Sequence, residues 1–217
     1  MIVNERITDY IHSLGKSQGP LLDSIEAEAR ENLVPIIRRE TAALLRTMTA
    51  ALGPSRILEI GTAVGYSALL MCQVMPKDCH ITTMEKFEKR IPIARENFKR
   101  AGETERITPF GRGYAGALLK ELKGNTFQLI FMDAAKGQYI HWLPDVVRLL
   151  APGGVLMSDN VLQEGELIES HYLVERRNRT IYKRMREYLY ELKHHPQLMT
   201  SIIPLGDGVS LSVKEEA

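Results

Sequence analysis

The chain has 217 residues, 44% of them hydrophobic and 25% charged, with a net charge of +1. That balance fits one globular domain with a sizeable core, and it excludes a polycation that grips nucleic acid over its whole surface. No apolar run reaches the ~18 residues of a membrane span, and the start, Met1-Ile-Val-Asn-Glu-Arg, carries no secretory signal; with Cys72 and Cys79 outside any metal-finger spacing, the expected setting is the cytoplasm and the thiols reduced.

The pattern predicts a single domain, with an N-terminal helical part over 1–52 and an α/β core over 53–217. Leu33-Val34-Pro35-Ile36-Ile37 leads into an Ala- and Leu-rich helix over 38–52 that stops at Gly53-Pro54. Strands and helices then alternate: strands over 56–60, 80–84, 106–110, 127–132 and 154–158, and helices over 65–74, 87–101, 115–122 and 139–150. Near-continuous apolar strands separated by helices imply a parallel sheet covered on both faces. The end differs. A long helix over 172–193 precedes apolar runs 199–203 and 209–213, which flank Gly206-Asp207-Gly208, a hairpin signal.

The first strand runs into Glu59-Ile-Gly61-Thr-Ala-Val-Gly65-Tyr66-Ser67. Glycines here let the backbone pass close to a ligand and enter a helix sharply, and the helix start offers free N–H groups. The spacing is not that of a dinucleotide fingerprint. An acid before the first glycine repels a pyrophosphate and suits an ammonium or sulfonium, as in the methionine part of S-adenosylmethionine. Glu85 ends the second strand, where an acid accepts both ribose hydroxyls. Ser67 either caps its helix or reaches a carboxylate. Gly113-Tyr114-Ala115 lies where an adenine ring would stack, or is a plain loop.

Asp133 follows the strand over 127–132, and Asp159-Asn160 follows the next. Strand ends of an open parallel sheet line the ligand crevice, so two carboxylates and a carboxamide would converge there. Such oxygen donors suit Mg²⁺ or Mn²⁺. The local sequence equally allows Asp133 as a helix cap and Asp159-Asn160 as a turn. Lys136, three residues beyond Asp133, is either a general base beside positive charge or a surface lysine.

Residues 176–186, Arg-Arg-Asn-Arg-Thr-Ile-Tyr-Lys-Arg-Met-Arg, hold six cations and no acid. On a helix Ile181, Met185, Tyr188, Leu189 and Leu192 share one face, and Arg176, Arg179, Lys183 and Arg186 the opposite one. The stripe can neutralise phosphates, with Tyr182 stacking on a base; alternatively it is a solvated face paired with Glu175 and Glu187.

Taken together, the Glu59–Ser67 segment, Met84-Glu85, Phe131-Met132-Asp133-Ala-Ala-Lys136-Gly-Gln-Tyr139 and Ser158-Asp159-Asn160-Val resemble the catechol and caffeoyl-CoA type O-methyltransferases, from about Val34 to the final hairpin. The resemblance implies the seven-stranded Rossmann-like methyltransferase fold, a mostly parallel sheet ending in an antiparallel hairpin. It implies S-adenosylmethionine contacts at Val34, Glu59, Gly61, Ser67, Glu85, Tyr114, Ala115 and Asp133, metal ligation by Asp133, Asp159 and Asn160, and catalysis by Lys136 with Asp133. Within the family, Pro35-Ile-Ile-Arg38-Arg39-Glu-Thr and the basic helix are similar to the bacterial tRNA 5-hydroxyuridine methyltransferases. That implies a tRNA anticodon loop as partner and 5-methoxyuridine as product. A homodimer through the N-terminal helices is expected. Ala134-Ala135 stands where the animal catechol enzyme has an aromatic residue, which turns the expectation away from a flat catechol. The rival readings are methylation of catechol-like phenols and a non-catalytic RNA-binding module; the intact acids speak against the module. Asp133-Ala134-Ala135-Lys136 also lacks the Pro-Pro-aromatic pattern used to grip amino groups.

Overall fold

A computed structural model describes residues 3–110, 115–170 and 172–216. Helices α1 (Glu5–Ser13), α2 (Pro20–Glu31) and α3 (Arg39–Leu52) come first. The core follows as β1 (Arg56–Ile60), α4 (Tyr66–Cys72), β2 (His80–Met84), α5 (Ile91–Arg100), β3 (Ile107–Pro109), α6 (Ala115–Glu121), β4 (Phe127–Met132), α7 (Tyr139–Leu149), β5 (Leu150–Ser158), α8 (Arg179–His194), β6 (Leu198–Ile203) and β7 (Val209–Lys214). One seven-stranded sheet has the order β3-β2-β1-β4-β5-β7-β6. Its pairings are parallel from β3 through β5 and antiparallel at β5–β7 and β7–β6. This is the Rossmann-like layout expected from the alternating pattern.

Side-chain alternation explains why both faces are covered. Ile57, Leu129 and Phe131 pack against α2, α3, α4 and α5. Their chain neighbours Leu58, Ile130 and Met132 pack against α6, α7 and α8. A strand buried on both faces reads as a continuous apolar run, with no polar side to show its period. The hairpin turn uses two glycines at positive φ, Gly206 at 58° and Gly208 at 88°, where a side chain would be strained. Among the described residues, no helix is long and apolar enough to cross a membrane.

Three boundaries depart from expectation by four residues or more. α5 begins at Ile91 rather than at residue 87. β5 begins at Leu150, four residues before the expected 154. The last long helix begins at Arg179 rather than at residue 172. Val174 is buried, the Leu173 N–H donates to Ser170 O, and a turn over Glu175–Asn178 is closed by the Asn178 N–H on Glu175 O, each bond 2.8 Å long. Asn178 precedes α8 without a side-chain capping bond; its Nδ2 donates instead to Glu166 Oε1 at 3.2 Å.

Candidate active site

The strand ends that the sheet order brings together open into a cleft of about 770 Å³. Its wall includes Gly61, Glu85, Ala115, Asp133, Lys136, Asp159 and Asn160. β4 and β5 pair Met132 with Ser158 as their last rung. Asp133 and Asp159 are each the next residue, and both are still held in the ladder. The Asp133 N–H donates to Ile60 O at 3.0 Å and the Asp159 N–H to Met132 O at 3.0 Å. The two carboxylates therefore leave adjacent strands at one level. Tyr139, fully buried at the start of α7, clamps the pair. Its hydroxyl donates to Met132 O at 3.2 Å, accepts from the Ala134 N–H at 3.0 Å, and lies 3.4 Å from Asp159 O.

Burial pushes both carboxyls above the usual aspartate range. For Asp133 the Lys136 ammonium opposes that push. For Asp159 the Asp133 charge adds to it, and the Asn160 N–H and Lys136 only partly offset it. Two buried like charges facing one another are costly without a cation. Two carboxylates and one carboxamide oxygen are hard donors, so the set fits Mg²⁺ or Mn²⁺. Asn160 sits at φ 57°, a left-handed conformation that asparagine tolerates. Its N–H donates to Asp159 Oδ1 at 2.8 Å and its Nδ2 donates to Asp207 Oδ2 at 3.1 Å. Lys136 opens a short 3₁₀ turn, Lys136–Gln138, on the same wall.

The expected cofactor residues divide. Gly61 has φ 115°, and a Cβ there would lie 1.8 Å from Asp133 O, so only glycine lets β1 turn beside β4. Both Glu85 oxygens are oriented by backbone donors, Oε2 by the Ala63 N–H and Oε1 by the Phe87 N–H, each at 2.7 Å. Carboxylate lone pairs remain for hydroxyl donors.

Glu59 stands elsewhere. It is fully buried, and its two oxygens accept the hydroxyls of Ser67 and Thr83, each at 2.5 Å. Among the described residues that line the cleft, Val34, Glu59 and Ser67 are missing; Pro35, Ile36, Ile37 and Arg38 form the wall next to Val34. Burial raises the Glu59 carboxyl to about 7, against the two hydroxyl donors. Tyr114 lies outside the described residues. Sequence reasoning missed Arg38 and Asp207, which also line the cleft, and the Tyr139 clamp.

The basic segment is only partly a helical stripe. Arg176 precedes α8 and is exposed. Arg179 donates Nε to Val174 O at 3.1 Å, and Arg186 donates Nη1 to Leu167 O at 2.8 Å. Arg179, Lys183, Arg184, Arg186 and His141 line a groove of about 580 Å³. The buried face is Tyr182, Met185, Tyr188 and Leu192, with Ile181 at the surface. Tyr182 was expected to stack on a base; instead it is buried, and its hydroxyl donates to Glu169 O at 2.9 Å.

The O-methyltransferase family profile matches residues 18–215. A catechol O-methyltransferase of Niastella koreensis is 28% identical over 172 residues, 77% of each chain. Caffeoyl-CoA O-methyltransferase 1 of Eucalyptus globulus is 27% identical over 179 residues, 77% of this chain and 70% of its own. Among solved structures, the Podospora anserina methyltransferase PaMTH1, bound to S-adenosylhomocysteine (SAH), aligns with a TM-score of 0.85 at 25% identity, covering 99% of this chain and 97% of its own. With its strand-end cleft and its sheet order, this chain belongs to the O-methyltransferase family.

Proposed function

We propose that the chain moves the methyl group of S-adenosylmethionine to the 5-hydroxyl of 5-hydroxyuridine at the tRNA wobble position, giving 5-methoxyuridine, with Mg²⁺ or Mn²⁺ held by Asp133, Asp159 and Asn160. The observation that carries the reading is one cleft lined by Gly61 and Glu85 on one side and by Asp133, Lys136, Asp159 and Asn160 on the other. Family membership and the SAH-bound relative support the donor.

When bound, the donor supplies an electrophilic methyl group and the divalent ion supplies positive charge that lowers the acceptor hydroxyl's pKa. The chain's own groups do the rest. Glu85, its oxygens fixed by two N–H groups, accepts the ribose hydroxyls, and Gly61 admits the backbone close to the donor. Asp133 and Asp159 present negative charge from rigid strand ends, so little reorganisation is needed. Lys136, as the neutral amine, takes up the acceptor's proton at Nζ while the acceptor's oxygen takes the methyl group. The groove of Arg179, Lys183, Arg184 and Arg186 supports a polyanionic substrate, and an anticodon loop presents its base without duplex opening.

A second reading, methylation of catechol-like phenols, is favoured by the names of the relatives from Niastella and Eucalyptus. A catechol and a 5-hydroxyuridine both offer two adjacent oxygens. Nucleoside mass spectrometry of tRNA from cells with and without the protein separates them. Loss of 5-methoxyuridine with accumulation of 5-hydroxyuridine supports the tRNA reading. Unchanged tRNA, together with turnover of free catechols by the purified protein, replaces it with the phenol reading. Tight tRNA binding with no methyl transfer in the presence of donor and Mg²⁺ replaces both with a binding module.

A further inference from the structure

The turn between β6 and β7 carries a side chain to the rim of the cleft that the reaction scheme above does not use. Asp207 is only 8% exposed. Its Oδ1 lies 2.8 Å from Arg38 Nη2, and its Oδ2 accepts from Asn160 Nδ2 at 3.1 Å. Arg38, the N-cap residue of α3, is an ion-pair partner of Asp207 and donates its hydrogen bond to Glu164 Oε1 at 2.8 Å. Three distant stretches of chain thus meet in one line, guanidinium to carboxylate to carboxamide.

The backbone fixes the spacing. Val161 and Leu162 donate their N–H groups to Gly208 O and Asp207 O, each at 2.9 Å. Asn160 therefore cannot drift away from the turn without breaking these bonds. A Cβ at Gly208 would come within 2.4 Å of Leu162 Cγ, so the two segments approach as closely as a glycine permits.

A carboxamide has unlike ends. One rotamer of Asn160 offers oxygen to the cleft and the other offers an NH₂ group, whose partial positive charge repels a cation. An acceptor that takes the NH₂ end leaves the oxygen end for the ion. We propose that Asp207 is a positioning residue that selects the ion-binding rotamer of Asn160, and that Arg38 holds the Asp207 carboxylate in place for this. The inference rests on the reading that Asp133, Asp159 and Asn160 hold a divalent ion. Because the Arg38 cation balances the Asp207 charge, the contribution of Asp207 is direction rather than attraction.

That distinction sets the test. Mn²⁺ binding to the full chain, with no donor or acceptor present, is titrated by electron paramagnetic resonance, and each variant's thermal melt is recorded alongside. Asp207→Ala is expected to weaken Mn²⁺ by about 10- to 100-fold, as loss of a group that orients a ligand does. Asp207→Asn discards the charge but keeps an acceptor for Asn160, and is expected to bind within a few-fold of wild type. If Asp207→Ala does not fold, Asp207→Ser, too short to reach Asn160, replaces it with the same expectation. Wild-type affinity in Asp207→Ala or Asp207→Ser overturns the inference. So does an Asp207→Asn as weak as the truncation, since that would make charge the cause. No Mn²⁺ binding by the wild-type chain would instead overturn the metal reading itself, and this inference with it.

Discussion

The Ser67 hydroxyl, in the first turn of α4, donates to Glu59 across 2.5 Å, and Thr83 of β2 donates to the other oxygen of the same carboxylate at 2.5 Å. These bonds tie the glycine turn to the strands on either side from beneath. Glu59 is thus a brace for the turn, and its charge is expensive where it stands. Burial raises its pKa to about 7, so the folded chain favours the protonated form. Its contribution to stability is then full in acid and is lost as pH rises from the ordinary carboxylate range through about 7. Glu59→Gln does not titrate, and the Ser67 hydroxyl can turn to accept from its amide. We expect the stability of the variant relative to wild type to increase between about pH 5 and about pH 8, by roughly 3 kcal/mol at most. Denaturant melts of both chains across that range check it; a difference independent of pH would show that Glu59 does not change its proton binding on folding.

The placement of Glu59 also shows where the sequence stops being informative. An acid one residue before a strand end looks like part of the crevice. Strand alternation, however, puts Glu59 on the same side as Ile57, which packs under α4, and Gly61 reaches the cleft instead. β1, β2 and β4 were readable to the residue because continuous apolar runs bounded by glycine and acid leave little freedom. The start of α8 was not, since the charged run before it has helical composition. Arg38 and Asp207 could not be joined from sequence. They meet where the start of α3 packs on the β6–β7 turn, with Gly206 beside Arg38 and Thr41, and Gly206-Asp207-Gly208 declares itself only as a turn.

Gly61 and Asp133 touch through backbone alone. A Cβ at residue 61 would lie 1.8 Å from Asp133 O and 2.7 Å from its carbonyl carbon, and neither atom can swing aside as a side chain would. Gly61→Ala also meets φ 115°. We expect it to destabilise the fold by more than about 2 kcal/mol and to weaken donor and Mn²⁺ binding together, because the clash pushes β4 and its acid. Urea unfolding, with isothermal titration of each ligand, measures both; a stable variant with normal Mn²⁺ binding would count against this coupling.

Asp159 and Asp133 repel each other, and the protein accepts that cost at a site proposed to hold an ion. Asp159→Asn removes one of the two charges. In chelator-treated protein we expect the variant to be more stable than wild type by about 1 kcal/mol, as at other functional sites that hold like charges together. Added Mg²⁺ should raise the wild-type melting temperature and leave that of the variant unmoved. Methyl transfer should be lost while donor binding is largely kept. Scanning calorimetry with and without Mg²⁺ decides the first two, and equal Mg²⁺ stabilisation of both chains would remove Asp159 from the metal set.

Helix α1 buries none of its residues; Ile7, Tyr10 and Ile11 are exposed on it at helical spacing, with Leu14 exposed just past its end. An apolar stripe of this kind is suited to a second copy of the chain. Ile7→Asp with Ile11→Asp should halve the mass seen by light scattering without lowering methyl transfer to a small acceptor. A wild-type chain that is already monomeric would remove the homodimer.

The cations of the α8 groove differ in what holds them. Arg186 is bonded to Leu167 O and to the Tyr182 hydroxyl, at 2.8 and 3.1 Å, with its guanidinium 5.4 Å from the Tyr182 ring centre. Removing it takes away a tie between α8 and the segment at Leu167 as well as a charge. Lys183 is exposed on the same groove, so its charge is available to a phosphate. Two different signatures follow. Lys183→Ala should leave the melting temperature unchanged and reduce the slope of log affinity for tRNA against log salt by about 0.7 to 0.9, one phosphate contact. Arg186→Ala should lower both the slope and the melting temperature. Filter binding over a series of salt concentrations, paired with thermal melts, separates charge from packing. If both variants keep the wild-type slope while tRNA is still methylated, the RNA backbone follows another path across the surface, and the groove's cations serve only to hold α8 against its neighbours.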